Sequence, residues 1–158
     1  MRKQKGFSLI ELLIVVAIIL IIAAIAIPNL LRSRIAANEA SAVGSMRTIN
    51  TAETTYNSTY PTVGYTSTIG NLAGTGCASP TSTNACLIDN TLAGATSSAT
   101  PKSGYYFTLA SSSGLGYVLN GDPAKPGSSG VKHYYTDGSA VIHYNATASA
   151  AATDAAIQ

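Results

Sequence analysis

The stretch GFSLIELLIVVAIILIIAAIAIP, residues 6–28, decides how this chain is built. Between Phe7 and Ile27 only Ser8 and Glu11 are polar. A helix that rises about 1.5 Å per residue carries these 21 residues through roughly 30 Å, the thickness of a bilayer's hydrocarbon core. The stretch therefore predicts a membrane-spanning helix or a signal sequence.

The residues before this stretch form a short basic leader, residues 1–6, which contains Arg2, Lys3 and Lys5. Positive residues beside a membrane helix stay on the cytoplasmic side, so the leader predicts a cytoplasmic N-terminus with the rest of the chain across the membrane. Without the leader, six basic residues face seven acidic ones. No basic stripe remains, and the composition does not favour nucleic-acid binding.

The apolar segment, residues 7–27, is followed by an amphipathic segment, residues 28–56. Pro28 either ends the first helix or bends it. Apolar or small residues then recur at steps of three and four, with one longer gap, at Leu31, Ile35, Val43, Met46, Ile49, Ala52 and Tyr56. Polar residues occupy other faces: Arg32, Arg34, Asn38, Glu39, Arg47 and Glu53. The pattern predicts one long helix from about Ser8 to Tyr56.

The remainder of the chain is rich in Ser, Thr, Gly, Ala and Asn. Turn formers dominate residues 57–104 and predict loops with at most short elements. Strand signals follow within residues 105–144, as YYFTL, GYVLN, KHYYT and AVIHY. The last two flank Asp137-Gly138, which predicts a hairpin with a two-residue turn. Residues 145–158 are of low complexity, and we expect them to fray.

Four strands with so few aliphatic side chains bury little by themselves, so one face of the sheet must pack on another element. The amphipathic half of the long helix is the available partner. The sequence thus predicts an α+β fold, in which a long N-terminal helix packs on a roughly four-stranded antiparallel sheet.

Cys77 and Cys86 enclose a polar loop in the segment between helix and strands. In an oxidising compartment they would form a disulfide that contributes roughly 2.5 to 3 kcal/mol in the chain-entropy model. Two free buried thiols are the alternative. A zinc site is disfavoured because it would need further ligands nearby.

The carboxylate of Glu11 needs an explanation, because an ionised side chain in hydrocarbon costs at least a few kcal/mol. Its surroundings, KGFSLIE at residues 5–11, resemble the class III signal of prepilins, the precursors of type IV pilins and of type II secretion pseudopilins. In that family a prepilin peptidase cuts after the Gly and methylates the new N-terminal amine, commonly on Phe. Gly6 matches the position before the cut, Phe7 the methylated residue and Glu11 the acid. Pro28 matches the proline that the family carries near the end of its apolar half.

The resemblance is strong over residues 1–56 and loose beyond. It implies a pilin-like fold and a filament in which Glu11 meets the Phe7 amine of an adjacent subunit. It also implies the partners: further copies of the chain, the membrane, a prepilin peptidase and methyltransferase, and an inner-membrane assembly platform with its ATPase. The precursor would span the inner membrane once, before it joins a surface pilus or a periplasmic fibre.

Three functions follow as expectations. The first is a type IV pilin, because the Ser-, Thr- and Gly-rich part of the chain after residue 56, which we call the head, suits an exposed fibre. The second is a type II secretion pseudopilin in a periplasmic fibre. The third, of another class, is a secreted binding or enzyme domain with a conventional signal peptide, cut after Ala24-Ile25-Ala26. The length of the apolar run and Glu11 both disfavour the third.

Catalytic and metal-binding patterns are weak in this chain. We find no phosphate-binding loop, nucleophile elbow or acid–base pair, and we expect neither enzyme activity nor a cofactor. With a two-residue turn at Asp137-Gly138, His133 and His143 would point to opposite faces, which disfavours a metal site. A three-residue loop would instead bring the two histidines opposite each other, so a metal site stays the minor alternative. Asp122 and Asp137 could serve a calcium loop of the kind found in some pseudopilins, but turn chemistry explains both.

Overall fold

The computed structural model describes residues 7–111 and 114–157. The long helix α1 spans Leu9–Thr59, as the periodicity predicted. The chain forms two compact units, one that ends at Arg34 and one that begins at Ile35. The leader, with Gly6, lies outside the described residues.

The first unit is the apolar part of α1. Its large apolar side chains, from Phe7 to Leu31, are between 42% and 77% exposed. The helix contains a window of mean hydropathy 3.3, long and apolar enough to cross a membrane. Pro28 lies inside α1. Because proline has no N–H, the carbonyl of Ala24 loses its usual helical donor there.

In the second unit, one face of α1 is buried against the sheet. Met46, Ile49, Ala52 and Tyr56 all lie on this face, as predicted. The prediction was wrong for Glu53, which is fully buried. Its position follows Ile49 by four residues, so it falls on the same stripe of the helix as the apolar side chains.

The other side of this half-helix carries hydroxyl groups that bond to the helix itself. Six of them donate to the carbonyl four residues earlier, at distances of 2.8 to 3.0 Å, and belong to Thr48, Thr51, Thr54, Thr55, Ser58 and Thr59. All six residues are exposed.

The sheet has five strands in sequential order, and every neighbouring pair is antiparallel. They are β1 (Tyr105–Ser111), β2 (Tyr117–Pro123), β3 (His133–Asp137), β4 (His143–Asn145) and β5 (Ala155–Ala156). Burial alternates along β1 to β3, so one face packs on α1 and the other remains open. The α+β fold class is confirmed, with one strand more than expected.

Short helices α2 (Ile69–Leu72) and α3 (Asn90–Ala93) interrupt the connection between α1 and β1. Both contribute to the core, through Ile69, Leu72 and Leu92. Asp89 caps α3 by accepting a 2.8 Å hydrogen bond from the Leu92 N–H. These anchors explain how a segment with few aliphatic residues holds its place.

The predicted two-residue hairpin turn is wrong. Tyr135 pairs with His143, so the connection between β3 and β4 runs through residues 138–142. Asp137 accepts a 2.9 Å bond from the Ser139 N–H, and Ala140 adopts a left-handed conformation with φ 60°. These two features lengthen the turn, and Ile142 enters the core before pairing resumes.

The C-terminal segment, residues 145–157, for which we expected fraying, contains a short strand and a hydrogen-bonded loop. Its strand β5 pairs with β4, and Asp154 ties the intervening loop together. The Asp154 carboxylate accepts bonds from the Asn145 side chain at 3.1 Å and the Ala151 N–H at 2.8 Å. The low-complexity composition of this segment gives no pattern from which these hydrogen bonds could be predicted.

Candidate functional site

The N-terminal end of α1 carries the predicted site residues, and there Glu11 has a local partner. Its Oε2 accepts a 2.9 Å hydrogen bond from the backbone N–H of Ser8, the residue just before the helix. The spacing Ser-x-x-Glu is that of a capping box, in which the acid satisfies an N–H left free by the helix start. The Ser8-to-Glu11 spacing of this cap is present in the sequence, and the bond to Ser8 adds a local role for Glu11 to the expected contact with a partner subunit.

Phe7 is the first described residue, and its side chain is 76% exposed. It lies directly before Ser8, so the capping box fixes the end of the helix next to it. The predicted cleavage between Gly6 and Phe7, and the methylation of Phe7, remain predictions.

The exposed apolar surface from Phe7 to Leu31 is the main physical feature of the first unit. Transfer of apolar surface out of water is worth about 25 cal/mol per Å², so this surface demands a lipid or protein environment. A bilayer supplies the first, and packed neighbouring helices supply the second.

Glu39 of α1 positions the loop that precedes β3. Its Oε1 accepts bonds from the backbone N–H groups of Val131 at 3.0 Å and Lys132 at 3.3 Å. The Lys132 ammonium lies 3.6 Å from Oε2 of Glu39 and 5.1 Å from the ring centroid of Tyr144. This cluster joins α1 to the loop before β3 and to β4, and its contacts are structural.

The two histidines lie on the open face of the sheet. The observed register places His133 and His143 on the same face, because Tyr135 stands opposite His143 and Tyr134 opposite Tyr144. The expectation of opposite faces depended on the two-residue turn and is wrong. His133 Nδ1 is 2.6 Å from Asp122 Oδ1, and His143 Nδ1 is 2.7 Å from the Asp154 carbonyl.

Asp122 and Asp137, considered for calcium, have partners within the chain. Asp122 lies in β2 and faces His133, whereas Asp137 caps the turn through the Ser139 N–H. Within residues 7–111 and 114–157, no group of three or more His, Cys, Asp or Glu side chains is placed to hold a metal ion.

Cys77 and Cys86 form a disulfide, as predicted. Hydrogen bonds hold the same loop independently of the bridge. The Asn84 side chain accepts from the Thr75 N–H and donates to the Thr75 carbonyl, both at 3.1 Å. The Tyr56 phenol donates a 2.7 Å bond to the Ser82 carbonyl, which links the loop to α1.

Comparison with known proteins agrees with the N-terminal pattern. Residues 1–27 match the family model described as the prokaryotic N-terminal methylation motif. The chain is 67% identical over 39 residues to the type IV wide pilus major component PilA4 of Thermus thermophilus, covering 25% of this chain and 30% of that protein. The prepilin-type resemblance is thereby confirmed for the N-terminal segment.

Two further relatives point to the same group of proteins. The chain is 42% identical over 65 residues to the type II secretion system core protein G of Vibrio cholerae, covering 39% of this chain and 44% of that protein. It is 43% identical over 54 residues to the type IV major pilin protein PilA of Myxococcus xanthus, covering 34% and 24%. The matched segments span less than half the length of each of these relatives.

Proposed function

We propose that this chain is the structural subunit of a type IV pilus. It is made as a prepilin, cut between Gly6 and Phe7, methylated on Phe7, and polymerised through the apolar part of α1. The observation that carries the proposal is that the N-terminal methylation motif, residues 1–27, includes most of an apolar helix whose large side chains are exposed. A helical filament buries this surface and gives each subunit the same environment.

The basic leader orients the precursor with its N-terminus in the cytoplasm, so that the head folds across the inner membrane. The disulfide between Cys77 and Cys86 suits that oxidising side. Assembly then moves α1 from lipid into protein, where neighbouring helices replace the acyl chains.

Glu11 takes two roles in this scheme. Its Oε2 caps its own helix through the Ser8 N–H, which leaves Oε1 for the N-terminal amine of Phe7 on an adjacent subunit. Pairing replaces two isolated charges by a neutral pair and fixes the axial register of neighbouring helices. Pro28 frees the carbonyl of Ala24 and gives α1 a point at which it can adapt to its neighbours.

The partners follow from the same scheme. A prepilin peptidase and methyltransferase processes Gly6 and Phe7, and an inner-membrane platform with an ATPase drives polymerisation. The chain itself acts as a building block and not as an enzyme.

A type II secretion pseudopilin is the second candidate, supported by the 42% identity to core protein G. We prefer the pilin because the two acids considered for a calcium loop already have hydrogen-bond partners: Asp122 contacts His133, and Asp137 accepts from the Ser139 N–H. Electron microscopy of sheared surface fractions separates the two, since long fibres that contain this chain identify a pilin.

Mass spectrometry of the mature N-terminus tests processing. We expect a chain that starts at Phe7 and carries one methyl group on its amine. Gly6→Val, which places a branched side chain beside the cleavage point, should retain the leader. An N-terminus at Ile27 would identify a secreted domain with a conventional signal peptide and overturn the proposal.

A further inference from the structure

Glu53 is a buried acid that the filament scheme does not use. It lies on α1 beneath the segment that follows the helix, and its exposed fraction is 0%. Oε2 accepts a 3.1 Å hydrogen bond from the backbone N–H of Thr66, whereas Oε1 has no hydrogen-bond partner among the described residues. A buried acceptor without a partner destabilises the folded state, and an ionised one does so more strongly.

The groups that face Glu53 do not offset a negative charge. The titratable ones are tyrosines: Tyr56 on α1 and Tyr117 on β2, with the Tyr65 ring packed against that of Tyr117 in a tilted arrangement, 5.0 Å between ring centroids. The phenols of Tyr56 and Tyr117 donate to the Ser82 carbonyl and to Asn50. Neither of the ion pairs within the described part of the chain includes Glu53.

The contact with Thr66 connects Glu53 to a larger segment. The Thr66 hydroxyl accepts bonds from the Thr68 N–H at 3.2 Å and from the Asn71 side chain at 3.0 Å, so Thr66 organises the start of α2. Burial raises the pKa of Glu53 to about 7, and the Thr66 N–H opposes that shift only in part. The carboxyl is therefore neutral in mildly acidic solution and gains charge as the pH passes neutrality.

We propose that protonated Glu53 is a pH-sensitive latch that holds residues 65–73 against α1, and that its ionisation loosens this segment. Opening of the segment lets water reach the carboxylate, which removes the desolvation of the charged form. The core contacts of Ile69 and Leu72 still oppose the opening, but the hydrogen bond between Thr66 and Glu53 no longer adds to them.

Hydrogen exchange of the full chain in detergent micelles, corrected for intrinsic exchange, tests the latch. Between pH 5 and pH 8.5 we expect the protection of residues 65–73 to fall by up to about 100-fold. The protection of β1 should fall less. Glu53→Gln should remove most of the pH dependence, whereas the matched variant Glu39→Gln should keep it.

A direct titration of the carboxyl avoids dependence on the folding of the variant. The chain has three glutamates, so selective ¹³C labelling of the glutamate carboxyl carbon gives three signals to follow by NMR. We expect one midpoint near neutrality, assigned to Glu53. A Glu53 midpoint in the ordinary range, unchanged protection between the two pH values, or wild-type pH dependence in Glu53→Gln would each overturn the latch.

Discussion

The phenol of Tyr117 on β2 donates a 3.0 Å hydrogen bond to the side-chain oxygen of Asn50 on α1, inside the core. Asn50 in turn donates a 3.2 Å bond to the hydroxyl of Thr136 on β3. Three buried polar side chains thus connect the helix to two strands. Because hydrogen bonds are directional and hydrophobic contacts are not, this chain of bonds fixes how α1 is placed on the sheet.

Tyr117→Phe tests this link. The substitution keeps the ring but leaves the Asn50 oxygen buried without its donor, so we expect the free energy of unfolding to fall by about 1 to 3 kcal/mol. Denaturant unfolding of the full chain in detergent, followed by circular dichroism, measures the loss. Tyr106→Phe, on the open face of the sheet, is the control, and an equal loss in both variants would contradict the assignment.

The overall stability should depend on pH through Glu53. The pKa of this group rises from 4.5 in the unfolded chain to about 7 in the folded one, because burial disfavours the charge. The folded state therefore binds the proton more tightly, and stability falls as the pH rises from about 4.5 through 7. The full effect of such a shift is about 3 kcal/mol. Unfolding of wild type and Glu53→Gln at pH 5 and pH 8 measures it, and a fall of equal size in the variant would exclude Glu53 as its source.

Gly64→Ala should destabilise the head more than Gly76→Ala. Both glycines have positive φ, 78° and 70°, so each substitution carries the strain of a left-handed alanine, about 1 kcal/mol. A Cβ at Gly64 would also collide with the Gly114 carbonyl, whereas one at Gly76 meets nothing within 4 Å. Thermal unfolding should therefore show an extra loss of about 1 to 3 kcal/mol for Gly64→Ala. Equal melting temperatures for the two variants would show that the loops of Gly64 and Gly114 can move apart without destabilising the fold.

Replacement of both Cys77 and Cys86 by Ser should lower the free energy of unfolding by about 2.5 kcal/mol or less. The loop should keep its place, because Asn84 and Tyr56 hold it through their own hydrogen bonds. Unfolding measurements give the loss, and hydrogen exchange of residues 75–86 reports the loop. Complete loss of protection there would show that the bridge alone positions the loop.

Glu11 variants separate its two roles. Glu11→Gln retains an acceptor for the Ser8 N–H and so keeps the capping box, but it removes the charge. Glu11→Ala removes both. If the charge pairs with the Phe7 amine of a neighbour, both variants should be processed normally and should form few or no filaments. Electron microscopy together with N-terminal mass spectrometry measures this, and abundant filaments from Glu11→Gln would assign Glu11 to capping alone.

The helices and strands followed from the sequence where a period extended over many residues. Met46, Ile49, Ala52 and Tyr56 repeat at helical steps and are all buried. Glu53 lies on the same stripe and is buried with them, although its charge favours an exposed position. In a helix that packs on a sheet, the position of a side chain determines its burial more than its charge does, because tertiary packing covers every side chain on the inner face.

Local turn chemistry was less predictable, because the turn depends on contacts made elsewhere. Asp137-Gly138 favours a short hairpin, yet Ile142 is drawn into the core and Asp137 bonds to Ser139, so the connection lengthens. The structure of residues 145–157 likewise depends on the hydrogen bonds that Asp154 accepts from Asn145 and Ala151. At the N-terminus, the spacing of Ser8 and Glu11 is by itself sufficient to predict the capping bond that the structure shows.

The hydroxyl-rich side of α1, from Thr48 to Thr59, already satisfies its donors within the helix. Removal of water from such a surface leaves few hydrogen-bond donors without a partner, so its desolvation costs less free energy than that of a surface of free hydroxyls. A face built in this way can be hydrated while the chain is alone, and in the proposed filament it can become a water-free contact between copies.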